Sequence, residues 1–68
     1  MSPEEESQLR QKLHELQVEH RDLDDIIERL RKDSGVDQLQ LVRLKKRKLA
    51  LKDAIVRIES IIIPNILA

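Results

Sequence analysis

The sequence has no cysteine and no phenylalanine, tyrosine or tryptophan. Without cysteine, disulfides and thiolate chemistry are excluded, and the chain is compatible with a reducing compartment. Without aromatic side chains, the stacking platforms that commonly bind single-stranded nucleic acid are excluded. Apolar runs such as Ile61–Ile63 are far too short to span a membrane. The acidic, polar start does not resemble a signal peptide, so we expect a cytoplasmic location.

Charge is balanced over the whole chain but divided between its halves. Lys and Arg together number 13, as do Asp and Glu, so no net field attracts nucleic acid or an anionic membrane. Residues 1–34 carry six basic and ten acidic side chains, a net of −4, whereas residues 35–68 carry seven and three, a net of +4. The 68 residues can form one small domain, and its two halves have complementary charges.

The first half has the pattern of one amphipathic helix over residues 3–32. Ser2 can cap this helix, and Pro3 suits its first turn. Apolar positions then alternate in spacings of four and three, which is the heptad pattern of a coiled-coil seam with one histidine in it. The seam consists of Leu9, Leu13, Leu16, His20, Leu23, Ile27 and Leu30.

The second half predicts a turn over residues 33–37 and a second helix over residues 38–63. Gly35, the sole glycine, is expected to supply a left-handed residue that ends the first helix, and Asp37 can cap the second. The short apolar tail over residues 64–68 begins with proline and is expected either to fold back on the open end or to fray. The second seam consists of Leu41, Leu44, Lys48, Leu51, Ile55, Ile58 and Ile62.

The two seams match each other when the chain folds back at the turn. Leu30 then lies opposite Leu41, and these two residue numbers add to 71. Pairing the other seam residues by the same total gives seven layers in all. A connection this short requires antiparallel neighbours. We therefore predict an all-α fold, an antiparallel two-helix hairpin whose core is formed by the fourteen seam residues. The same register places Asp24 near Lys45, and it places Arg10 near Glu59.

A second apolar row lies beside the seam of the second helix. Val42, Leu49, Val56 and Ile63 recur every seven residues and are named here the apolar stripe. The equivalent positions of the first helix are polar and cannot cover the stripe: they are His14, Arg21 and Glu28. Leu39, Ala54 and Ile61 add further apolar surface to the second helix. Scattered surface apolar residues are the alternative interpretation, but the regular spacing favours an oligomer interface that joins two hairpins into a four-helix bundle.

The stretch from Arg43 to Asp53 is the most basic part of the chain, and its first six residues, Arg43–Lys48, are named here the basic segment. It suggests a nucleic-acid surface, for which Arg43, Lys46 and Arg47 are the candidate contacts. Consecutive residues point around a helix, however, and the register places Arg47, Lys46 and Arg43 across the hairpin from Asp24, Asp25 and Glu28. A solvated belt of charge that sets the register is therefore the favoured interpretation.

The remaining polar residues give no pattern typical of an enzyme. His14 and His20 are six residues apart and do not share a helix face, so no metal site is expected. We also find no catalytic triad, no phosphate-binding glycine loop and no pattern for a cofactor. His20 lies in the apolar seam, where it is either a packed histidine with a polar partner or a pH-sensitive position.

Two segments resemble the YdcH-like family of small bacterial proteins. They run from His20 to Ile26 and from Leu44 to Ile55, and the second reads Leu-Lys-Lys-Arg-Lys-Leu-Ala-Leu-Lys-Asp-Ala-Ile. The family-like positions are His20, Leu23, Asp24, Lys45, Lys46, Lys48, Lys52 and Asp53, whereas Ala54 replaces the usual glutamate. The resemblance implies a bacterial cytoplasmic helical hairpin of unknown function and supplies no catalytic residue.

From the sequence we expect a non-enzymatic, self-associating interaction or regulatory module, whose partner is itself as a homodimer or larger assembly, or another protein. A nucleic-acid-binding accessory protein is the alternative from another class. Peripheral membrane attachment through residues 61–67 is a weaker alternative, since the basic amphipathic face of such helices is absent.

Overall fold

A computed structural model describes residues 1–33 and 35–63 as two long helices packed side by side. Helix α1 is Pro3–Arg31 and helix α2 is Gln38–Ile62. A short connection, residues 32–37, joins two helices that pack side by side, so the helices run antiparallel. The described residues contain no strand. The predicted all-α helical hairpin is confirmed, while the expectations for the tail at 64–68 lie outside the described residues.

Both helices begin with a capping side chain. The Ser2 hydroxyl accepts a hydrogen bond from the backbone N–H of Glu5 at 3.1 Å, and Pro3 follows at the first helical position. The Asp37 carboxylate accepts from the backbone N–H of Leu39 at 2.9 Å. Each cap satisfies a donor that has no partner inside its helix.

The turn differs from the sequence expectation at Gly35. We expected a left-handed residue there, but Gly35 does not have a positive φ, so that prediction is wrong. Helix α1 instead ends with Lys32 as its cap, which keeps a right-handed helical backbone. The N–H of Lys32 donates to the carbonyl of Arg29 at 3.2 Å, and the N–H of Asp33 donates to the carbonyl of Leu30 at 3.1 Å. The N–H of Gly35 is bound by the Asp33 carboxylate at 2.9 Å, which is an Asx turn. A side-chain hydrogen bond therefore takes the place of the expected glycine cap.

The core lies along the line where the two helices meet. Leu16, Leu51 and Ile55 form its central cluster and are 4–7% exposed. Leu13, Leu23, Ala54 and Ile58 are partly buried around this cluster, and Ile27 and Leu41 are buried nearer the turn. Each of the fourteen seam positions is buried or half-buried. Ala54, assigned to the exposed surface from the sequence, packs instead against the central cluster.

The hairpin is elongated. Its Cα radius of gyration is 15.3 Å, compared with about 11 Å expected for a compact domain of this length. Its accessible surface of 5603 Å² also exceeds the roughly 4,500 Å² expected for a monomer of its mass. No described side chain is less than 2% exposed. Two helices alone therefore enclose only a thin core.

Candidate interaction surfaces

The apolar stripe lies on the solvent-facing side of α2. Leu49 is 67% exposed, and Val42, Val56 and Ile63 are 44–47% exposed. Leu39 and Ile61 are also exposed on α2. The three residues at the equivalent positions of α1, His14, Arg21 and Glu28, are exposed and do not cover the stripe. The structure thus leaves a regular row of aliphatic side chains in contact with water.

Lys48 is a charged residue in the seam, and its side chain reaches out of the core to an acid. Its Nζ atom lies 2.8 Å from Oδ1 of Asp24, in a hydrogen-bonded ion pair between the helices. The hydrogen bond from Lys48, together with its charge, lowers the pKa of the Asp24 carboxyl below its usual range. Nearby His20 lowers it further, while partial desolvation opposes the shift. The apolar stem of Lys48 can therefore stay in the seam while its charge is neutralised at the edge.

The basic segment is divided between paired and unpaired cations. Arg47 forms an ion pair with Glu19 across the hairpin at 3.4 Å, with both side chains more than half exposed. Arg43 and Lys46 are exposed, and within the described residues neither is in an ion pair. One of the three candidate nucleic-acid contacts thus already faces a carboxylate, which supports a charge belt at that position.

The expected cross-helix charge pairs are not those that form. Asp24 contacts Lys48 rather than Lys45, because the long lysine side chain extends from the seam to the neighbouring edge. Arg10 contacts Glu6 one turn earlier in its own helix, at 2.9 Å, rather than Glu59. Local pairs of this kind compete well with cross-helix pairs because residues four apart are neighbours on a helix.

The sequence also predicts three cross-helix contacts of the basic segment, with Asp24, Asp25 and Glu28. The ion pairs that form differ from these. Arg47 pairs with Glu19 rather than Asp24. Glu28 pairs with Arg31 of the same helix, at 3.5 Å, and not with Arg43. The buried faces of the two helices were therefore more predictable than the partners of flexible, solvated side chains.

Neither a metal cluster nor a membrane span is found in the described part of the chain. No group of three or more His, Asp or Glu side chains is placed to hold a metal ion within residues 1–33 and 35–63. Across the same residues, neither helix has an apolar stretch long enough to cross a bilayer.

Comparison with known protein families finds a match. The model of a family described as a protein of unknown function, DUF465, matches residues 13–59, which is more than half of the chain. The chain belongs to the DUF465 family. This confirms the expected membership of a family of small proteins of unknown function. No curated protein and no solved structure matches the chain.

The part that matches DUF465 contains most of the surfaces described above. It includes the Asp24–Lys48 pair, the whole basic segment and three residues of the apolar stripe, Val42, Leu49 and Val56. Ile63, the fourth stripe residue, lies beyond the matched region. The DUF465 match gives the fold a family but assigns no chemistry to these residues.

Proposed function

We propose that this chain is a non-enzymatic interaction module that associates with copies of itself through the apolar stripe of α2. The observation that supports this most directly is the exposure of Leu49, two-thirds of whose side chain contacts water in the middle of α2. Its stripe neighbours Val42 and Val56 are each nearly half exposed. Apolar residues exposed singly are ordinary, but a row of them in regular heptad spacing on one helix is typical of a helix–helix interface.

The thin core of the hairpin gives a second argument. The described residues have five buried apolar side chains, and a scaffold of this size gains little net stability from one small core. Small natural domains compensate with disulfides, metals or additional subunits. Since cysteine is absent from the sequence, subunit association is a direct way for this chain to bury more apolar surface.

The direction of the stripe fits this role. Along a helix, successive residues are rotated by about 100°, so each stripe residue lies roughly a right angle from the seam residue before it. A helix with two contact faces at that angle can pack against α1 on one side and a second hairpin on the other. Because the equivalent face of α1 is polar, we place α2 at the centre of the assembly, a four-helix bundle in its simplest dimeric form.

Sedimentation equilibrium on wild type and on the double variant Leu49→Glu, Val56→Glu tests the proposal. The chain lacks Tyr and Trp, so detection uses refractive index. We expect wild type to sediment at twice the chain mass or more and the variant to dissociate, because each new carboxylate would be buried without a partner.

A matched control adds the same two charges elsewhere. Val18 and Ile26 of α1 are 45% and 44% exposed, which is similar to the 46% exposure of Val56, but they do not belong to the stripe. The variant Val18→Glu, Ile26→Glu should therefore associate as wild type does. A wild-type chain that is helical and monomeric at high micromolar concentration would refute the proposal. Equal dissociation of both double variants would place the interface elsewhere.

A further inference from the structure

A polar cleft lies beside the seam, where side chains of both helices line a space of about 330 Å³. Ile55 contributes a buried apolar wall, while Arg21 and Lys52 are exposed at its edge. His20 and Glu59 are half-buried. The volume falls in the range of about 300–1,000 Å³ that is typical of small-ligand sites. The complete lining is Gln17, His20, Arg21, Lys52, Ile55 and Glu59.

The cleft concentrates hydrogen-bond donors. Arg21 presents a planar guanidinium, Lys52 an ammonium, and His20 and Gln17 add a ring N–H and an amide. In the described part of the chain five other basic residues pair with carboxylates, but Arg21 and Lys52 do not. Glu59 is the one carboxylate in the lining, so the cleft has a formal charge of +1 when His20 is neutral.

We propose that this cleft binds a small anion that carries a phosphate group. Arginine donates a rigid fork of hydrogen bonds that matches phosphate oxygens, and lysine adds a point charge. Arg21 of α1 and Lys52 of α2 both line the cleft, so the two helices each supply a cationic donor for an anion with several acceptor oxygens. One chain supplies all of these residues, so the site goes beyond the proposed self-association and does not depend on it.

Nuclear magnetic resonance on the full chain can test the site with inorganic phosphate as the probe. The chain has two histidines, and only His20 lines the cleft, whereas His14 is exposed about one and two-thirds turns earlier in α1. At constant pH and ionic strength, the ring signals of His20 should shift and saturate as phosphate is added. The signals of His14 report any change in pH or in general ion screening.

Variants that remove either positive or negative charge from the cleft make the test more specific. Arg21→Gln with Lys52→Gln should weaken phosphate binding by at least about tenfold, because two charge-assisted contacts are removed. Glu59→Gln removes the one repulsive charge and should tighten binding by a few-fold. Arg43→Gln with Lys46→Gln removes two exposed cations that do not line the cleft and should leave binding unchanged. Circular dichroism of each variant shows whether the fold is retained.

A parallel titration with glycerol phosphate distinguishes a free phosphate ion from a phosphate ester. Saturable binding of either compound at His20 supports the site, and the tighter one identifies the source. Two results would overturn the proposal. One is a shift that grows linearly and equally at both histidines. The other is a saturable shift that survives unchanged in a folded Arg21→Gln, Lys52→Gln variant.

Discussion

Replacing Leu16 with alanine tests the assigned core most directly. Leu16 is 7% exposed and belongs to the central cluster with Leu51 and Ile55. Truncation to alanine removes buried apolar contacts and leaves a cavity, for which well-packed cores lose about 2.7–5.0 kcal/mol. The surrounding residues are only partly buried and can collapse toward the space. We therefore expect a loss of about 2–4 kcal/mol in the free energy of unfolding.

This loss is large relative to the total stability of such a chain. At about 0.05–0.15 kcal/mol per residue, a domain of this length is stable by roughly 3–10 kcal/mol. A loss of about 2–4 kcal/mol from Leu16→Ala would therefore remove from about a fifth to all of this stability. Val18→Ala is a matched control two residues later, since Val18 is 45% exposed, and it should change stability by less than about 0.5 kcal/mol.

Urea unfolding followed by far-ultraviolet circular dichroism is the assay, because the chain has no Trp or Tyr for fluorescence. Curves are recorded at several protein concentrations, so that a contribution from self-association is visible as a concentration-dependent midpoint. An unchanged midpoint for Leu16→Ala would refute the assigned core. A loss in Val18→Ala as large as in Leu16→Ala would show that burial in the hairpin core does not distinguish the two positions, since alanine has a higher helix propensity than valine or leucine.

Three further predictions concern the charges and the turn. Asp24→Asn should destabilise the hairpin near neutral pH but much less in strong acid. The reason is that a carboxyl whose folded pKa is lowered contributes stability above about pH 4, which is lost as the pH falls through the folded value. Urea unfolding of both chains across this range measures the effect, and a pH-independent difference would contradict it. Glu19→Gln should cost less than about 1 kcal/mol by the same assay, since its pair with Arg47 is solvated, and a larger loss would mean that the pair is shielded from water. Gly35→Ala should be neutral or stabilise by up to about 1 kcal/mol. The added Cβ would lie 3.5 Å from Asp33 Oδ1, an ordinary contact, and thermal unfolding would reveal a clear loss if the backbone there required glycine.

The fold was predictable because two independent periodic patterns had to agree. The apolar spacing of α1 and that of α2 define the two seams independently, and folding the chain back at the turn aligns all of the predicted layers. Leu16 and Ile55, paired in this way, are both buried in the central cluster. Apolar periodicity reports a face that must leave water, so it fixes which sides of two helices meet.

The local details were less predictable because several arrangements satisfy the same chemistry. A turn can be closed by a left-handed glycine or by a side-chain hydrogen bond, and Asp33 provides the second solution. A lysine can pair with any carboxylate within reach, and Lys48, although it is a seam residue, pairs with Asp24. The cleft was missed because its residues flank the seam and only converge once the helices pack. Reading the positions beside both seams would have placed Arg21 and Lys52 near each other.

The two proposed surfaces share one side of α2, which relates them physically. Lys52 follows Leu49 by three residues, and Glu59 follows Val56 by three, so each cleft residue neighbours a stripe residue on the helix surface. A second hairpin on the stripe would approach the cleft, and an anion in the cleft would change the charge beside the stripe. If the two sites influence each other, linkage requires the effect to be reciprocal, so phosphate would alter the association constant by the same factor by which association alters phosphate affinity. A factor different from one would show that the two sites form one coupled surface, whereas a factor of one would show two independent sites, and coupling of this kind requires no change in the hairpin itself.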